Sequence, residues 1–141
     1  MAKRQKPFNA ERFFQALGDR TRLRLLNLMG EQEICVCYFV AILGQPQPKI
    51  SRHLAYLRSA GVVVARREGK WMHYRIVMPS EAGAARVLRE ILAWLKDETS
   101  MKADRARLTS VCCGAKKSEA LEGAPLPVCV KTAPEFSSRR R

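Results

Sequence analysis

Residues 45–77 constrain the fold more than any other part of the chain, because their apolar period changes at a single residue. In QPQPKISRHLAYLRSAG, the apolar residues Ile50, Leu54 and Leu57 recur at helical spacing. After Gly61 the chain reads VVVARREGKWMHYRIV, in which two runs rich in β-branched and aromatic residues flank the turn residue Gly69. The segment therefore predicts a helix over 47–60 followed by a β-hairpin.

Three shorter helices are predicted before this segment, each from a polar cap or a glycine stop combined with apolar residues. Their limits are Asn9 to Gly18, Asp19 to Gly30, and about Val36 to Leu43 with Gly44 as the stop. The apolar face of the first includes Phe13, Phe14 and Leu17. Helices of this length need tertiary packing, because isolated short helices are marginal in water.

A later helix is predicted after the hairpin, with Ser80 as its cap and an apolar stripe along one side. The stripe contains Val87, Ile91, Trp94 and Leu95. Such a stripe needs a partner surface, which is either a second copy of the chain or the chain's own domain. From Ser110 onward Pro, Gly, Lys and Ser accumulate, which is typical of a mobile tail. We therefore predict a folded domain over 1–98 and a largely flexible, cysteine-containing extension over 99–141.

Positive charge is concentrated in the same central segment. The formal net charge is +13 for 141 residues, and residues 46–75 contain seven Lys or Arg against the single acid Glu68. This density suits a phosphate-bearing partner. Helices followed by a hairpin are the order of a winged helix-turn-helix, whose second motif helix enters the major groove of DNA while the wing reaches the flanking backbone. The predicted fold class is thus mainly α with a β-hairpin.

The predicted DNA-contacting residues lie on the helix over 47–60 and at the wing. Those suited to base edges are Gln47, Ser51, Arg52 and His53, those suited to phosphates are Lys49 and Arg58, and those at the wing are Arg66, Arg67 and Lys70. The alternative interpretation is a solvated basic face on an ordinary helical domain. We favour DNA binding because charge, periodicity and hairpin coincide in one segment.

Two thiols, Cys35 and Cys37, stand one residue apart just before the predicted DNA-reading unit. Within a regular helix their side chains would point roughly 200° apart, at about 100° per residue. They are therefore either separate core residues or the ligands of one ion held by an altered backbone. The start MAKRQKPFN lacks the apolar core of a signal peptide, and no apolar run approaches the length of a membrane span. We expect a cytoplasmic protein, without a membrane partner, whose five cysteines are reduced.

The string CVC, followed by QPKISRHLAYLRSAG and GKWMHYRI, closely resembles the arsenical-resistance repressor (ArsR) branch of the ArsR/SmtB transcriptional regulators over residues 8–96. The resemblance implies a homodimer of winged helix domains paired through the first and last helices. It implies a repressor, not an enzyme, that binds double-stranded operator DNA. It also implies release when trivalent arsenic or antimony, as arsenite or antimonite, binds as inducer, with no catalytic cofactor.

The cysteines of this chain depart from the family's usual C-x-C-x-x-C site, because Val40 occupies the third position. Soft trivalent ions favour thiolates, so a sulfur from elsewhere would tighten the site. A tail cysteine of the same chain or of its partner is one source, a separate tail site is another, and incidental tail cysteines are the third reading. The candidate metal ligands are Cys35, Cys37, Cys112, Cys113 and Cys129. His53 and His73 are interpreted as a DNA contact and a strand residue.

Five other functions are weighed against this one. A zinc or cobalt sensor of the family would need histidines on the last helix, and 80–108 contains none; a cadmium or lead sensor would need an N-terminal cysteine, and 1–34 contains none. An enzyme finds no third catalytic residue beside Ser51 and His53. A nucleic-acid chaperone would bind RNA and any DNA alike. A thiol redox or persulfide sensor of the same fold stays the alternative.

Overall fold

The structure is a computed structural model, and it describes residues 7–113, 121 and 123–129. Helices surround a small antiparallel sheet. In chain order the elements are α1 (Ala10–Leu17), α2 (Arg20–Met29), β1 (Gln32–Cys35), α3 (Val36–Leu43), α4 (Gln47–Ser59), β2 (Val63–Glu68), β3 (Trp71–Ile76), α5 (Ala82–Lys96), α6 (Thr99–Cys113) and β4 (Val128–Cys129). None of the described helices combines the length and apolar character needed to cross a bilayer.

The first three helices begin and end where the sequence predicts. The side chain of Asn9 accepts a hydrogen bond from the backbone N–H of Arg12 at 2.9 Å, and that of Asp19 accepts one from Thr21 at 2.9 Å. Both bonds satisfy N–H groups that the first helical turn leaves unpaired. Gly44 ends α3 at φ 67°, a left-handed conformation that glycine adopts without steric cost.

The sheet has the strand order β2-β3-β1-β4, and every neighbouring pair is antiparallel. The predicted hairpin is confirmed: β2 and β3 agree with the predicted runs to within a residue, and Gly69 at φ 60° lies in the turn between them. Strand β1 is not predicted, because four residues directly before a helix carry no recognisable strand period.

The core lies between the helices and this sheet. The predicted inner face of α4 is confirmed, because Ile50, Leu54 and Leu57 are fully buried. Tyr38 and Phe39 of α3 are fully buried beside them. Burial of each such large side chain contributes about 1.5–3 kcal/mol to folding, so the core sets which face of α4 points outward.

Two predicted details are wrong. Glu81 rather than Ser80 is the N-cap of α5, and its side chain makes no capping bond. Phe14 does not share the buried face of α1: it is 57% exposed, whereas the neighbouring Phe13 is buried. Adjacent helical residues are turned by about 100°, so the two rings cannot face the same core.

Trp94, part of the predicted stripe on α5, is 71% exposed.

A sixth helix begins where the sequence predicts a flexible extension. Helix α6 packs against α2, and its Met101 and Asp104 are buried. The sequence does not reveal it because its apolar residues are sparse and polar bonds make much of the contact. Leu121 is also buried, and Cys129 of β4 pairs with Gln32 of β1. Residues 114–120, 122 and 130–141 lie outside the described part of the chain, so the division at 98/99 and the flexibility of the extension stay predictions.

Candidate functional site

Basic residues are exposed on the outer face of α4 and on the β2–β3 hairpin. The burial of Ile50, Leu54 and Leu57 turns the opposite side of α4 towards solvent. Most of the predicted DNA-contacting residues are exposed there: Gln47, Lys49, Arg52, Arg58, Arg66, Arg67 and Lys70, with Ser51 half-buried. The predicted cationic residues of the helix and the hairpin are therefore accessible to a partner.

His53 occupies a different place from the rest of this set. Its side chain is only 16% exposed, and its Nδ1 lies 3.3 Å from Nη1 of Arg22 and 3.9 Å from Oδ1 of Asp19. Burial lowers the pKa of His53; the charge of Asp19 opposes this shift, and those of Arg22, Lys49 and Arg52 add to it. The imidazole thus packs against the start of α2, and its contact with a base edge stays a prediction.

Arg22 and Tyr56 join α4 to the first two helices, and no sequence pattern predicted this role. The Arg22 guanidinium lies 4.2 Å from the centre of the Tyr56 ring and donates to the carbonyl oxygens of Gln15 and Ala16 at 2.8 and 2.9 Å. The Tyr56 hydroxyl donates to Oε1 of Gln15 at 3.0 Å. A cation stacked on an aromatic ring contributes about 0.5–2 kcal/mol. No periodic signal marks such a contact, because its partners lie on three helices.

The wing is tied to the sheet by a charged pair. Arg66 donates to the Glu33 carboxylate from Nη2 at 2.7 Å and from Nε at 3.1 Å. Glu33 is 9% exposed, and its pKa is lowered chiefly by the hydrogen bond from Arg66. At the hairpin turn, Arg67 donates to the carbonyl of Gly69 at 3.1 Å, and Lys70 lies 4.9 Å from the centre of the Trp71 ring. Arg66 therefore has an internal partner, while its side chain stays half exposed.

The sulfur atoms of Cys35 and Cys37 lie 3.2 Å apart. Cys35 is the last residue of β1 and the N-cap of α3, with extended dihedrals of φ −70° and ψ 142°. Because it stands outside the helix, the separation of roughly 200° expected for two residues of a regular helix does not apply. The altered backbone that two ligands within a regular helix would need is therefore not required to bring these two sulfurs together.

The two thiols differ in their readiness to ionise. The Cys37 thiol donates to the sulfur of Cys35, and this bond is the main cause of a lowered Cys35 pKa, against the opposing effect of burial. The same bond, together with burial, raises the pKa of Cys37. Cys35 is 1% exposed, while Cys37 is partly exposed. The pair can thus lose its first proton more easily than an ordinary thiol, and an incoming ion would reach it from the side of Cys37.

The remaining cysteines lie in α6 and β4. Cys112 of α6 is partly buried and packs against the same hydrophobic core as Cys37 and Val40. Cys129 is exposed in β4, and the side chain of Cys113 is outside what the structure describes. Within residues 7–113, 121 and 123–129, no three His, Cys, Asp or Glu side chains are arranged to hold a metal ion. The two-sulfur pair is the part of the predicted site that the structure brings together.

Tyr38 lies between the thiol pair and the C-terminal segment. It is fully buried, and its hydroxyl donates to the carbonyl of Ala124 at 3.4 Å. Burial raises the pKa of Tyr38 to about 12, with further contributions from the charges of Cys112, Cys37 and Cys35. Cys112 is therefore within electrostatic range of the ring that follows Cys37 in α3.

Comparisons with known proteins converge on one group. A family model described as "Bacterial regulatory protein, arsR family" matches residues 19–64. The chain is 44% identical over 91 residues to the arsenical resistance operon repressor of Escherichia coli, covering 64% of this chain and 76% of that protein. It is 38% identical over 108 residues to the arsenic resistance transcriptional regulator ArsR2 of Pseudomonas putida, covering 71% and 94%. The solved structure of HlyU from Vibrio cholerae has a TM-score of 0.50 at 25% identity, covering 60% and 91%.

Proposed function

The chain belongs to the ArsR family of bacterial transcriptional regulators, and we propose that it represses transcription until a trivalent arsenic or antimony ion binds its thiols. Regulators of this family bind operator DNA through the helix-turn-helix and are not enzymes. The two curated relatives compared above are named for arsenical or arsenic resistance. The observation that carries the proposal for the inducer is the 3.2 Å separation of the Cys35 and Cys37 sulfurs.

Helix α4 is proposed to enter the major groove, with the β2–β3 hairpin against the flanking backbone. Arg52, exposed on α4, suits a base edge because guanidinium groups pair with guanine through two bonds. Lys49 and Arg58 suit phosphates, which hold a protein in register without reading sequence. The internal contacts of Arg22 with Tyr56 support this role by keeping α4 rigid. A repressor acting in this way would work in the cytoplasm.

The protein is proposed to act as a homodimer. Phe14 on α1 and Trp94 on α5 are large apolar side chains that the single chain leaves 57% and 71% exposed. Aromatic side chains of this kind commonly anchor protein interfaces. Pairing through these helices would present two copies of α4 about one turn of DNA apart, roughly 34–36 Å.

The thiol pair suits a soft ion of low coordination number. An ion about 2.3 Å from each sulfur, the length of a zinc–thiolate bond, would see two sulfurs 3.2 Å apart at roughly 90°. Trivalent arsenic and antimony carry a lone pair that favours bond angles near a right angle, and they are soft acceptors for thiolates. A third sulfur is proposed to come from Cys112, Cys113 or Cys129, because Val40 offers none.

Release follows if the ion-bound state is incompatible with the DNA-bound state. Helix α3 begins at the thiol pair and packs against α4, so a displacement at Cys35 reaches the DNA-reading helix within one layer of packing. The coupling must be reciprocal: DNA weakens ion binding by the factor by which the ion weakens DNA binding. A coupling of about 1–3 kcal/mol corresponds to roughly 5–150-fold in affinity.

The test is a fluorescence anisotropy titration of a labelled fragment of the chain's own promoter, with and without arsenite or antimonite. Wild-type protein should lose affinity when either ion is added. Cys35→Ser and Cys37→Ser should each keep operator affinity and lose the response, whereas Ser80→Ala, at an exposed position outside the proposed ligand set, is the control. Unchanged affinity of the wild type in the presence of bound ion would refute the proposal.

A thiol redox or persulfide sensor is the second candidate, and the same sulfur contact favours it. Two sulfurs already at 3.2 Å, one with a lowered pKa, are placed for oxidation. This function predicts release by peroxide or a persulfide donor, reversed by dithiothreitol. The arsenite and oxidant arms of one titration therefore separate the two candidates.

A further inference from the structure

The thiol pair and the wing share one row of residues across the sheet. In the β1–β3 pairing, Cys35 lies opposite His73, and in the β2–β3 pairing, Arg66 lies opposite the same His73. Residues directly opposite each other on antiparallel strands project to the same face. The row Cys35–His73–Arg66 therefore runs from the proposed ion site to the base of the wing through three adjacent strands.

Polar bonds reinforce this row on the same face. Glu33 precedes Cys35 by two residues in β1, so both project to one side of the strand. The Glu33 carboxylate accepts hydrogen bonds from both Nη2 and Nε of Arg66 at 2.7–3.1 Å. On the other side of Arg66, Nε2 of His73 lies 3.0 Å from Oε1 of Glu68. The wing strand is thus joined to β1 and β3 by a buried carboxylate and a buried imidazole.

We propose that Glu33 is a positioning residue for the wing, and that an ion on Cys35 and Cys37 acts on DNA through the row Cys35–His73–Arg66. This inference rests on the proposed function. It assigns the wing, and not only the contact between α3 and α4, as a path from the ion to the operator.

Neither end of the row, Cys35 or Arg66, can move independently of the other. Cys35 is 1% exposed, and tightly packed interiors transmit a shift of one group to its neighbours. When arsenite binds, each of the two thiols gives its proton to a hydroxyl group of arsenite, two water molecules leave, and two sulfur–arsenic bonds replace the hydrogen bond between the sulfurs. The position of Cys35 must then adjust to two bonds on one centre. The strand that carries Cys35 also carries Glu33, whose bidentate bond to Arg66 allows little angular freedom. A small change in β1 is therefore passed to the direction of the wing.

The experiment uses Glu33→Gln, which keeps the shape of the side chain and removes its charge, together with Arg66→Gln and the double variant. Glu81→Gln, an exposed carboxylate at the start of α5, is the matched control. Operator affinity is measured by anisotropy with and without arsenite, and arsenite uptake is measured separately by the ultraviolet absorbance of the sulfur–arsenic bonds. The quantity of interest is the affinity ratio, defined as the operator affinity without arsenite divided by the operator affinity with arsenite.

We expect arsenite uptake to stay unchanged in all variants, and the affinity ratio to fall towards one in Glu33→Gln and in Arg66→Gln. The double variant should lose no more than the single ones, because the pair acts as a unit. Glu81→Gln should match the wild type in both measurements.

Two results would overturn the inference. A wild-type ratio in either folded single variant would show that the wing row does not carry the signal, while the proposed function stands. Arg66→Gln can also remove a phosphate contact, which would lower the salt slope of DNA binding by about 1. If that slope falls and the affinity ratio stays at the wild-type value, the inference is still overturned. A ratio of one in the wild type would overturn the proposed function as well. If Glu33→Gln does not fold, Arg66→Gln alone decides, since its side chain is half exposed.

Discussion

Arg24 and Asp104 lie 80 residues apart in the chain and form a bidentate ion pair, with Nε to Oδ2 at 2.8 Å and Nη2 to Oδ1 at 3.0 Å. The Asp104 side chain is 3% exposed, and that of Arg24 is 23% exposed. The hydrogen bond to Asp104 raises the pKa of Arg24. The pair joins α6 to α2, next to the bond from Asn27 Nδ2 to the carbonyl of Met101 at 3.0 Å. The sixth helix is thus fixed to the helix that precedes the thiol strand.

Removal of this pair should lower the free energy of unfolding. Arg24→Met leaves the buried Asp104 with only its contact to Arg107, and we expect a loss of about 1.5–3 kcal/mol, the range for hydrogen bonds to charged groups. Urea denaturation measures the loss. Arg20→Met is the control, because its pair with Glu98 is solvent-exposed and worth about 0–1 kcal/mol. Equal losses in the two variants would contradict a structural role for the buried pair.

Arg52→Ala should weaken operator binding while arsenite uptake stays near that of the wild type. Arg52 is exposed on α4, whereas the thiol pair lies in β1 and α3. Loss of a specific base contact costs about 1–3 kcal/mol, which corresponds to roughly 5–150-fold in affinity. Anisotropy with operator and non-operator fragments measures the effect. Lys102→Ala, an exposed cation on α6, is the charge-matched control. Undiminished operator affinity would mean that α4 is not the DNA-reading helix.

Trp94→Ala should weaken self-association. Truncation of a central aromatic anchor typically costs about 2 kcal/mol or more of interface energy, so sedimentation velocity at low micromolar concentration should show a shift towards monomer. Operator affinity should fall with it, because both half-sites must be engaged together. Met78→Ala, an exposed apolar residue outside α1 and α5, serves as control. A sedimentation profile identical to that of the wild type would exclude α5 from the interface.

Protonation of His53 should lower the free energy of unfolding as the pH falls from 7.5 to 5.5. Its pKa in the folded chain lies below the unfolded value of about 6.5, so the unfolded chain binds a proton more readily. The contribution of neutral His53 is present above that unfolded pKa and decreases as pH falls below it. His53→Gln should therefore reduce the difference in unfolding free energy between pH 7.5 and pH 5.5. An unchanged difference would show that His53 does not titrate differently on folding.

Cys112→Ser should reduce the sulfur neighbours of bound arsenic from three to two, as counted by X-ray absorption. The reason is that Cys112 packs against the same core as Cys37 and Val40, whereas Cys129 is exposed in β4. Cys129→Ser is therefore the control and should keep three. Single substitutions are preferable to truncation after Thr109, because Leu121 and Ala124 are buried in the core. Three sulfurs in Cys112→Ser would assign the third ligand elsewhere.

Helices α1 to α5, the β2–β3 hairpin and the inner face of α4 could be predicted from the sequence alone, whereas β1, α6 and β4 could not. Helical spacing of Ile50, Leu54 and Leu57, the caps Asn9 and Asp19, and the glycine turn of the hairpin are local signals, because each depends on residues within a few positions. The exposed basic residues of α4 could be predicted for the same reason, because they depend on the same local helical spacing. Once the buried face of α4 is known, its charged residues must face solvent.

Only the tertiary structure decided where the thiols, the wing and the last helix meet. Cys35 lies at a strand end, and its sulfur meets that of Cys37 because β1 pairs with β3, a contact with no local period. Glu33 finds Arg66, and Arg24 finds Asp104, across 33 and 80 residues. Such contacts are set by the way the elements pack, since a single charged residue carries no mark of its partner in the sequence. The sequence determined the five predicted helices, the hairpin and which side of α4 is basic, and packing determined what Cys35 and Cys37 touch.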